Sequence, residues 1–275
     1  VVHLSMFNPK AGLSYVLPNG HLLYGSYAVA QREPNRNDYV NAPIGTTPQK
    51  EILHDFEGGL RKTTGRFQYS ANLFFMNYQN QLVVTGALNE VGEFIRTNVG
   101  SSYRTGVELE AGTALTSWLN WQGNLTLSRN KVRSFVEIIS GFTGPDDYIR
   151  NEFEETDIAF SPNIIGASQF AATFNKTTFA FISKYVGKQY LDNTQNNNRK
   201  LDPYFVNDLR ISYKHQTNQY GIWEFSLLCN NIFNYLYVSN GYTFSYRNPD
   251  TSIATSNYYY PQAGINFLGS VNIRF

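Results

Sequence analysis

The chain has 275 residues, of which 42% are apolar and only 16% charged, and its formal net charge is +1 at pH 7. That balance, with no basic stripe, sets nucleic acid aside as a partner. No run of about eighteen apolar residues is present, which excludes a transmembrane helix, and the single cysteine, Cys229, excludes an internal disulfide framework.

Period-two alternation predicts about eleven strands, near 8–17, 21–31, 51–62, 66–78, 103–114, 118–130, 160–170, 176–188, 204–215, 220–231 and 262–275. Phe67, Tyr69, Ala71, Leu73 and Phe75 oppose Arg66, Gln68, Ser70 and Asn72. In the next pair of strands Tyr103, Val107, Leu109 and Ala111 oppose Arg104, Glu108 and Glu110, and Leu119, Trp121, Leu125 and Leu127 oppose Asn120, Gln122, Asn124 and Thr126. Further along, Phe205, Leu209, Ile211 and Tyr213 oppose Asp208, Arg210, Ser212 and Lys214, with Asn207 breaking the apolar side. The last strand sets Ile265, Phe267, Val271, Ile273 and Phe275 against Asn266, Ser270, Asn272 and Arg274.

Such alternation fits either a soluble sandwich or a membrane barrel, and the twenty Tyr, twenty Phe and three Trp suit both an aromatic-rich sandwich and a sheet bordering lipid. Connection lengths separate the two. Short turns near 18–20, 63–65, 115–117, 172–176 and 216–219 alternate with long connections through 32–50, 79–102, 131–159, 189–203 and 232–261. Ordinary connections have a median of about four to six residues. Tight turns at one end and long loops at the other match an all-β, antiparallel up-and-down transmembrane barrel with periplasmic turns and extracellular loops.

The final strand then runs toward the short turns, which puts the carboxyl terminus in the periplasm and Val1 on the extracellular side. An odd strand count that starts outside is at odds with the even, both-ends-periplasmic layout of bacterial single-chain barrels. An open sheet edge in lipid leaves N–H and C=O groups unpaired at several kcal/mol each. The expectation is therefore that residues 1–275 form the carboxyl-terminal part of a larger barrel, whose amino-terminal strands lie elsewhere in the protein or in another chain.

Several segments resemble TonB-dependent outer-membrane receptors, in the order and spacing of that family. Leu23-Tyr24-Gly25-Ser26-Tyr27-Ala28 followed by Arg32-Glu33-Pro34-Asn35 is similar to a strand ending in an R-x-P-N element, and Thr47-Pro48-Gln49-Lys50-Glu51 with Phe56-Glu57-Gly58-Gly59-Leu60 resembles the start of the next one. Asn98-Val99-Gly100 with Gly106-Val107-Glu108-Leu109-Glu110 resembles a G-x-E-x-E strand, and Asn230-Asn231-Ile232-Phe233-Asn234 with Tyr237 resembles the penultimate one. The flavour is most similar to siderophore receptors of Bacteroidetes-type, Gram-negative bacteria.

The resemblance implies a twenty-two-stranded barrel holding a plug domain, of which this chain supplies about the last eleven strands, and active import of a scarce ligand, foremost an iron–siderophore chelate. Haem, cobalamin and glycans remain open as cargo. Implied partners are the plug and amino-terminal strands, TonB through a segment outside this chain, outer-membrane lipid, the barrel assembly machinery and, for glycan importers, a surface lipoprotein. Phe267, Val271, Ile273 and Phe275 resemble the carboxyl-terminal signal read by that machinery.

Lumen candidates facing the plug are Arg104, Glu108, Glu110, Asp208, Arg210 and Arg274. For ligand contact, Arg32, Asn35, Arg36 and Tyr39 open the first long loop, where guanidinium forks suit a carboxylate or an anionic chelate. The alternative is that Arg32 and Asn35 only cap the strand and fix the loop. Tyr258 and Tyr259 stand in an aromatic run that could stack a ligand or form an interfacial girdle. No cofactor is expected, and no metal-ligand spacing joins His3, His21, His54 and His215. Their scatter argues against an outer-membrane phospholipase or protease, and a passive porin or secretion barrel is the remaining alternative.

Overall fold

The computed structural model describes residues 4–42, 47–63, 65–89, 91–141, 143–144, 147–217 and 221–274. Its elements in chain order are β1 (Lys10–Val16), β2 (Leu22–Arg32), α1 (Arg36–Val40), β3 (Glu51–Lys62), β4 (Phe67–Leu88), β5 (Phe94–Ala114), β6 (Leu119–Ser140), β7 (Tyr148–Asp157) and β8 (Ile164–Phe174). There follow β9 (Thr177–Val186), β10 (Gln189–Tyr190), β11 (Lys200–Leu201), β12 (Tyr204–Thr217), β13 (Gly221–Asn230), β14 (Val238–Arg247), β15 (Ile253–Pro261) and β16 (Asn266–Arg274). One antiparallel sheet runs β1-β2-β3-β4-β5-β6-β8-β9-β12-β13-β16, with β7 paired to the far end of β6; β10-β11 and β14-β15 form two small sheets.

Residues paired across an antiparallel ladder share a face, so the registers trace faces across the whole sheet. One row reads Leu23, Leu60, Ala71, Leu109, Leu125, Gly166, Tyr185, Phe205. A lower row on the same face reads Trp121, Phe170, Phe181, Leu209, Cys229, Phe267. The opposite face reads Tyr24, Gly59, Asn72, Glu108, Thr126. Asn207, the exception on the apolar face, is paired with Ser183, whose hydroxyl donates to its amide oxygen at 2.7 Å.

No second sheet covers the apolar face among the described residues, and Leu73 and Phe267 are each 66% exposed. A continuous apolar surface spanning eleven strands far exceeds the few hundred Å² a soluble monomer leaves open. Aromatic rings border it on both sides. At one border Tyr27, Phe56, Phe75 and Tyr103 sit ring to ring at 4.8, 6.3 and 6.4 Å. At the other lie Phe67 with Tyr69 (5.5 Å), Trp118 with Phe174 (5.1 Å) and Trp223 with Phe225 (6.2 Å). From Phe67 to Phe75 the strand advances roughly 26 Å, or about 20 Å after a tilt near 40°, close to the apolar band of an outer-membrane barrel.

Beyond the upper border the structure departs from the sequence reading. The intervals 79–102 and 131–159, expected as loops, are largely strand: β4, β5 and β6 run for 22, 21 and 22 residues, about twice what a membrane crossing needs. The interval 232–261 likewise contains the β14-β15 hairpin. Period-two contrast fades there, and burial depends instead on the hairpins packed against these extensions. The strand expected at 160–170 begins only at Ile164, and the closing strand begins at Asn266. Phe275 lies outside the described residues.

Placing an arginine at Leu125, in the middle of the apolar face, should cost about 2–4 kcal/mol of folding stability in lipid, whereas Asn124→Lys on the other face should change it little. Denaturant titration of each variant in vesicles measures the difference; equal effects would show that the two faces do not meet different media.

Candidate functional site

Two regions carry polar chemistry: the concave polar wall of the sheet, and the folded hairpins above it. On the wall, register places Arg104, Glu108, Glu110, Asp208, Arg210 and Arg274 all on the polar face. Arg104 donates to Ser161 Oγ at 3.0 Å and Asn130 Oδ1 at 3.3 Å. Glu110 accepts from Ser70 Oγ at 3.1 Å, Glu108 from Asn72 Nδ2 at 3.4 Å, and Asp208 from the Asn231 N–H at 2.8 Å. Among the described residues none of the six is in an ion pair. A cavity of about 640 Å³ lies over this wall, lined by Arg61, Gln68, Ser70, Glu110, Gln122 and Gln169 among others.

Local packing shapes that wall. The Tyr24 hydroxyl crosses Gly59 to donate to Asn72 Oδ1 at 3.0 Å, and a Cβ on Gly59 would stand 2.5 Å from that hydroxyl and from the Ala71 carbonyl. Only glycine leaves room for the ring to lie flat there.

Beyond the upper aromatic border the hairpins pack into one assembly with its own apolar centre, Val83, Val99, Val132, Phe135 and Ile158. Asn193, fully buried, donates to the Val84 carbonyl at 2.6 Å and accepts from the Ala159 N–H at 2.9 Å. Arg199 joins the segments. It pairs with Glu137 on β6 and with Asp192 (2.8 Å), and donates to Ser245 Oγ on β14 (2.8 Å) and Thr255 Oγ1 on β15 (3.4 Å). A second tie runs from Arg247 on β14 to Asp147 at 2.8 Å. Hydrogen bonds from the Thr143 N–H and hydroxyl, and then the Arg247 guanidinium, hold the Asp147 carboxyl below the usual carboxylate range.

The sequence-predicted ligand residues do not form one cluster. Arg32, more than half exposed, pairs with Glu51 at 2.9 Å, and Glu51 also accepts the Leu82 N–H. The Asn35 side chain caps α1, accepting the Asp38 N–H at 3.0 Å while the Asp38 carboxylate accepts the Asn35 N–H at 2.8 Å. Asp38 is held in turn by Arg96 at 2.9 Å. The Asn35 side chain is thus engaged at the start of α1 rather than at the end of β2, whereas Arg36 is exposed and Tyr39 half-buried. Tyr258 and Tyr259 point to opposite faces of their hairpin. Tyr258 stacks on Tyr242 (4.9 Å) and Phe244 (6.0 Å), and Tyr259 pairs in register with Gly241. Arg199, Asp192 and Asn193 have no signature in the sequence, because the Asn-rich stretch around them carries no periodic signal.

His21 and His54 each meet a tyrosine hydroxyl, of Tyr69 at 2.6 Å and of Tyr27 at 2.9 Å, and no cluster among the described residues could hold a metal ion.

A family model described as TonB dependent receptor-like, beta-barrel, matches residues 3–232. No curated protein matches the chain. Solved structures do share its fold. The ferric-catecholate import receptor Fiu of E. coli K12 is 19% identical with a TM-score of 0.63, over 97% of this chain and 34% of that one. The copper transporter OprC is 16% identical with a TM-score of 0.66, over 96% and 39%. The siderophore receptor PiuA of Acinetobacter baumannii is 17% identical with a TM-score of 0.66, over 96% and 35%. The chain thus spans little more than a third of their length.

Two outcomes follow from the hairpin assembly. Arg199→Ala leaves Glu137 and Asp192 facing each other unpaired, and should cost about 3–5 kcal/mol locally; amide exchange in β14-β15 should rise while that of β4-β5 near Leu73 stays slow. Because the Asp147 carboxyl is held low, its contribution is complete above its ordinary pKa of about 4 and is lost as pH falls through the lowered value. Proteolysis at the β14-β15 tip should accelerate only in that acid range, and Asp147→Asn should abolish the dependence.

Proposed function

The chain belongs to the TonB-dependent receptor-like β-barrel family, and we propose that it forms one arc of an outer-membrane barrel that imports a scarce ligand, foremost an iron–siderophore chelate. The observation that carries this reading is the two-faced sheet. Its apolar side is continuous from β1 to β16, its polar side bears unpaired charges, and its two edge strands have no outer partner among the described residues. In hydrocarbon such edges must be paired, so further strands complete the cylinder. The limited coverage of the solved receptors agrees with an arc of a larger barrel.

In this reading the polar wall, with Arg104, Glu108, Glu110, Asp208, Arg210 and Arg274, faces a plug domain coupled to TonB. The tight turns lie in the periplasm together with the end of β16, and the long hairpins lie outside the cell. Phe267, Val271 and Ile273, exposed on the apolar face, present the assembly signal. The work of this arc is selection and containment rather than covalent chemistry: the family and the structural neighbours are receptors and transporters, not enzymes. An anionic chelate fits the exposed guanidinium of Arg36 and that of Arg32, which stays more than half exposed beside Glu51, at the mouth, and ferric catecholate is the cargo of the similar receptor Fiu; the copper transporter marks the main rival cargo.

Deleting the gene in a strain that has no other siderophore importer should abolish growth on ferric siderophore as the sole iron source, and loss of TonB should have the same effect. Replacing both Arg32 and Arg36 by alanine should weaken chelate binding about tenfold, since hydrogen bonds to charged groups are involved. Growth without TonB, with unrestricted solute flux through reconstituted protein, would identify a porin instead.

A further inference from the structure

Three cations stand in a row on β6 just above the apolar face: Arg129, Lys131 and Arg133, at alternate positions that continue the Leu125, Leu127 side of the strand. Arg129 is level with Thr105 and Phe75 in the register, which is the level of the upper aromatic border. Lys131 is spent, almost buried against Asp157 at 2.7 Å and donating to Gln195 at 3.1 Å. The two arginines are not. They flank a single carboxylate, Glu155, at 3.9 and 3.8 Å, too far for a direct hydrogen bond, and their side chains are 62% and 51% exposed. Among the described residues neither guanidinium donates a hydrogen bond.

The surroundings hold this arrangement in place. Glu155 sits at φ +50, a backbone conformation uncommon for a residue with a side chain, and its carboxylate accepts the Tyr103 hydroxyl at 3.0 Å. Arg133 lies over the Tyr103 ring at 5.1 Å, so the tyrosine supports both the acid and one of the bases. With the Lys131–Asp157 pair neutral, the cluster carries one excess positive charge and two planar donor forks facing outward at the edge of an apolar wall.

We infer that Arg129 and Arg133 clamp the phosphate of an anionic lipid headgroup in the outer leaflet, with Glu155 spacing the two forks and Tyr103 seating them. Guanidinium forks match phosphate oxygens in geometry as well as charge. The acyl chains of the same lipid would lie along Leu125, Leu127 and Leu73 directly below, which is why the clamp takes a headgroup rather than free phosphate. The inference rests on the reading that the apolar face meets lipid.

The test uses the full-length protein in bilayer discs of phosphatidylethanolamine, doped with a phosphorylated glucosamine lipid or with the same lipid after phosphatase treatment, and counts retained lipid by native mass spectrometry. The wild type should retain the phosphorylated form about tenfold better than the dephosphorylated form. Arg129→Gln together with Arg133→Gln should erase that preference, and Glu155→Gln, which removes the competing carboxylate, should strengthen it. Equal retention of the two lipids by the wild type, an unchanged preference in the double variant, or complete displacement by millimolar inorganic phosphate would each overturn the clamp. Failure of the wild type to enter bilayers at all would overturn the lipid-facing reading itself, and is told apart by flotation.

Discussion

A backbone in hydrocarbon has no water to satisfy its N–H and C=O groups, and the organisation of this chain follows from that constraint. Each strand inside the band gives its hydrogen bonds to two neighbours, from β2 to β13, and among the described residues the open rows of this sheet are the outer edges of β1 and β16. Once every strand is tied laterally, its side chains can only alternate between two media. One set becomes the Leu-, Phe- and Trp-rich wall and the other the Gln-, Asn-, Glu- and Arg-bearing wall. The many exposed large apolar residues, a liability in water, are the expected surface of such a sheet in lipid.

Beyond the upper aromatic border the constraint is released and another replaces it. The extended ends of β4, β5 and β6 meet water and must be held by one another and by incoming hairpins. The buried apolar side chains gather there, around Val83, Val132 and Phe135. So do the buried ions: Arg199 with Glu137 and Asp192, and Lys131 with Asp157. Ion pairs of this kind add little net stability because desolvation offsets their attraction, but a mispaired arrangement is penalised heavily. They therefore fix which hairpin sits against which. Gly86 shows how close the contact is: at φ +96, a Cβ there would lie 2.9 Å from Asp192.

The membrane-level fold was legible in the sequence because lipid imposes a sharp period of two, as in Phe67 to Phe75 and Leu119 to Leu127. The outer extensions were not. In Gln79-Asn80-Gln81-Leu82-Val83-Val84 the polar and apolar residues come in blocks, since burial there depends on hairpins remote in sequence. The polar wall could be read residue by residue, and register places all six charged candidates on one face. The mouth could be read only in part. Asn35 with Asp38 is a capping pair that spacing alone could have identified, and its side chain is committed to the helix. The Arg199 junction draws on four segments and has no local signature.

Accessibility along a single strand tests the two-media account most directly. In a Cys229→Ala background, spin labels placed singly at residues 222–228 of β13 in outer-membrane vesicles would report collisions with oxygen, which concentrates in lipid, and with a polar nickel chelate. The account predicts that 223, 225 and 227 favour oxygen, while 222, 224, 226 and 228 are shielded from it. Equal oxygen access at adjacent positions, with no period of two, would contradict it.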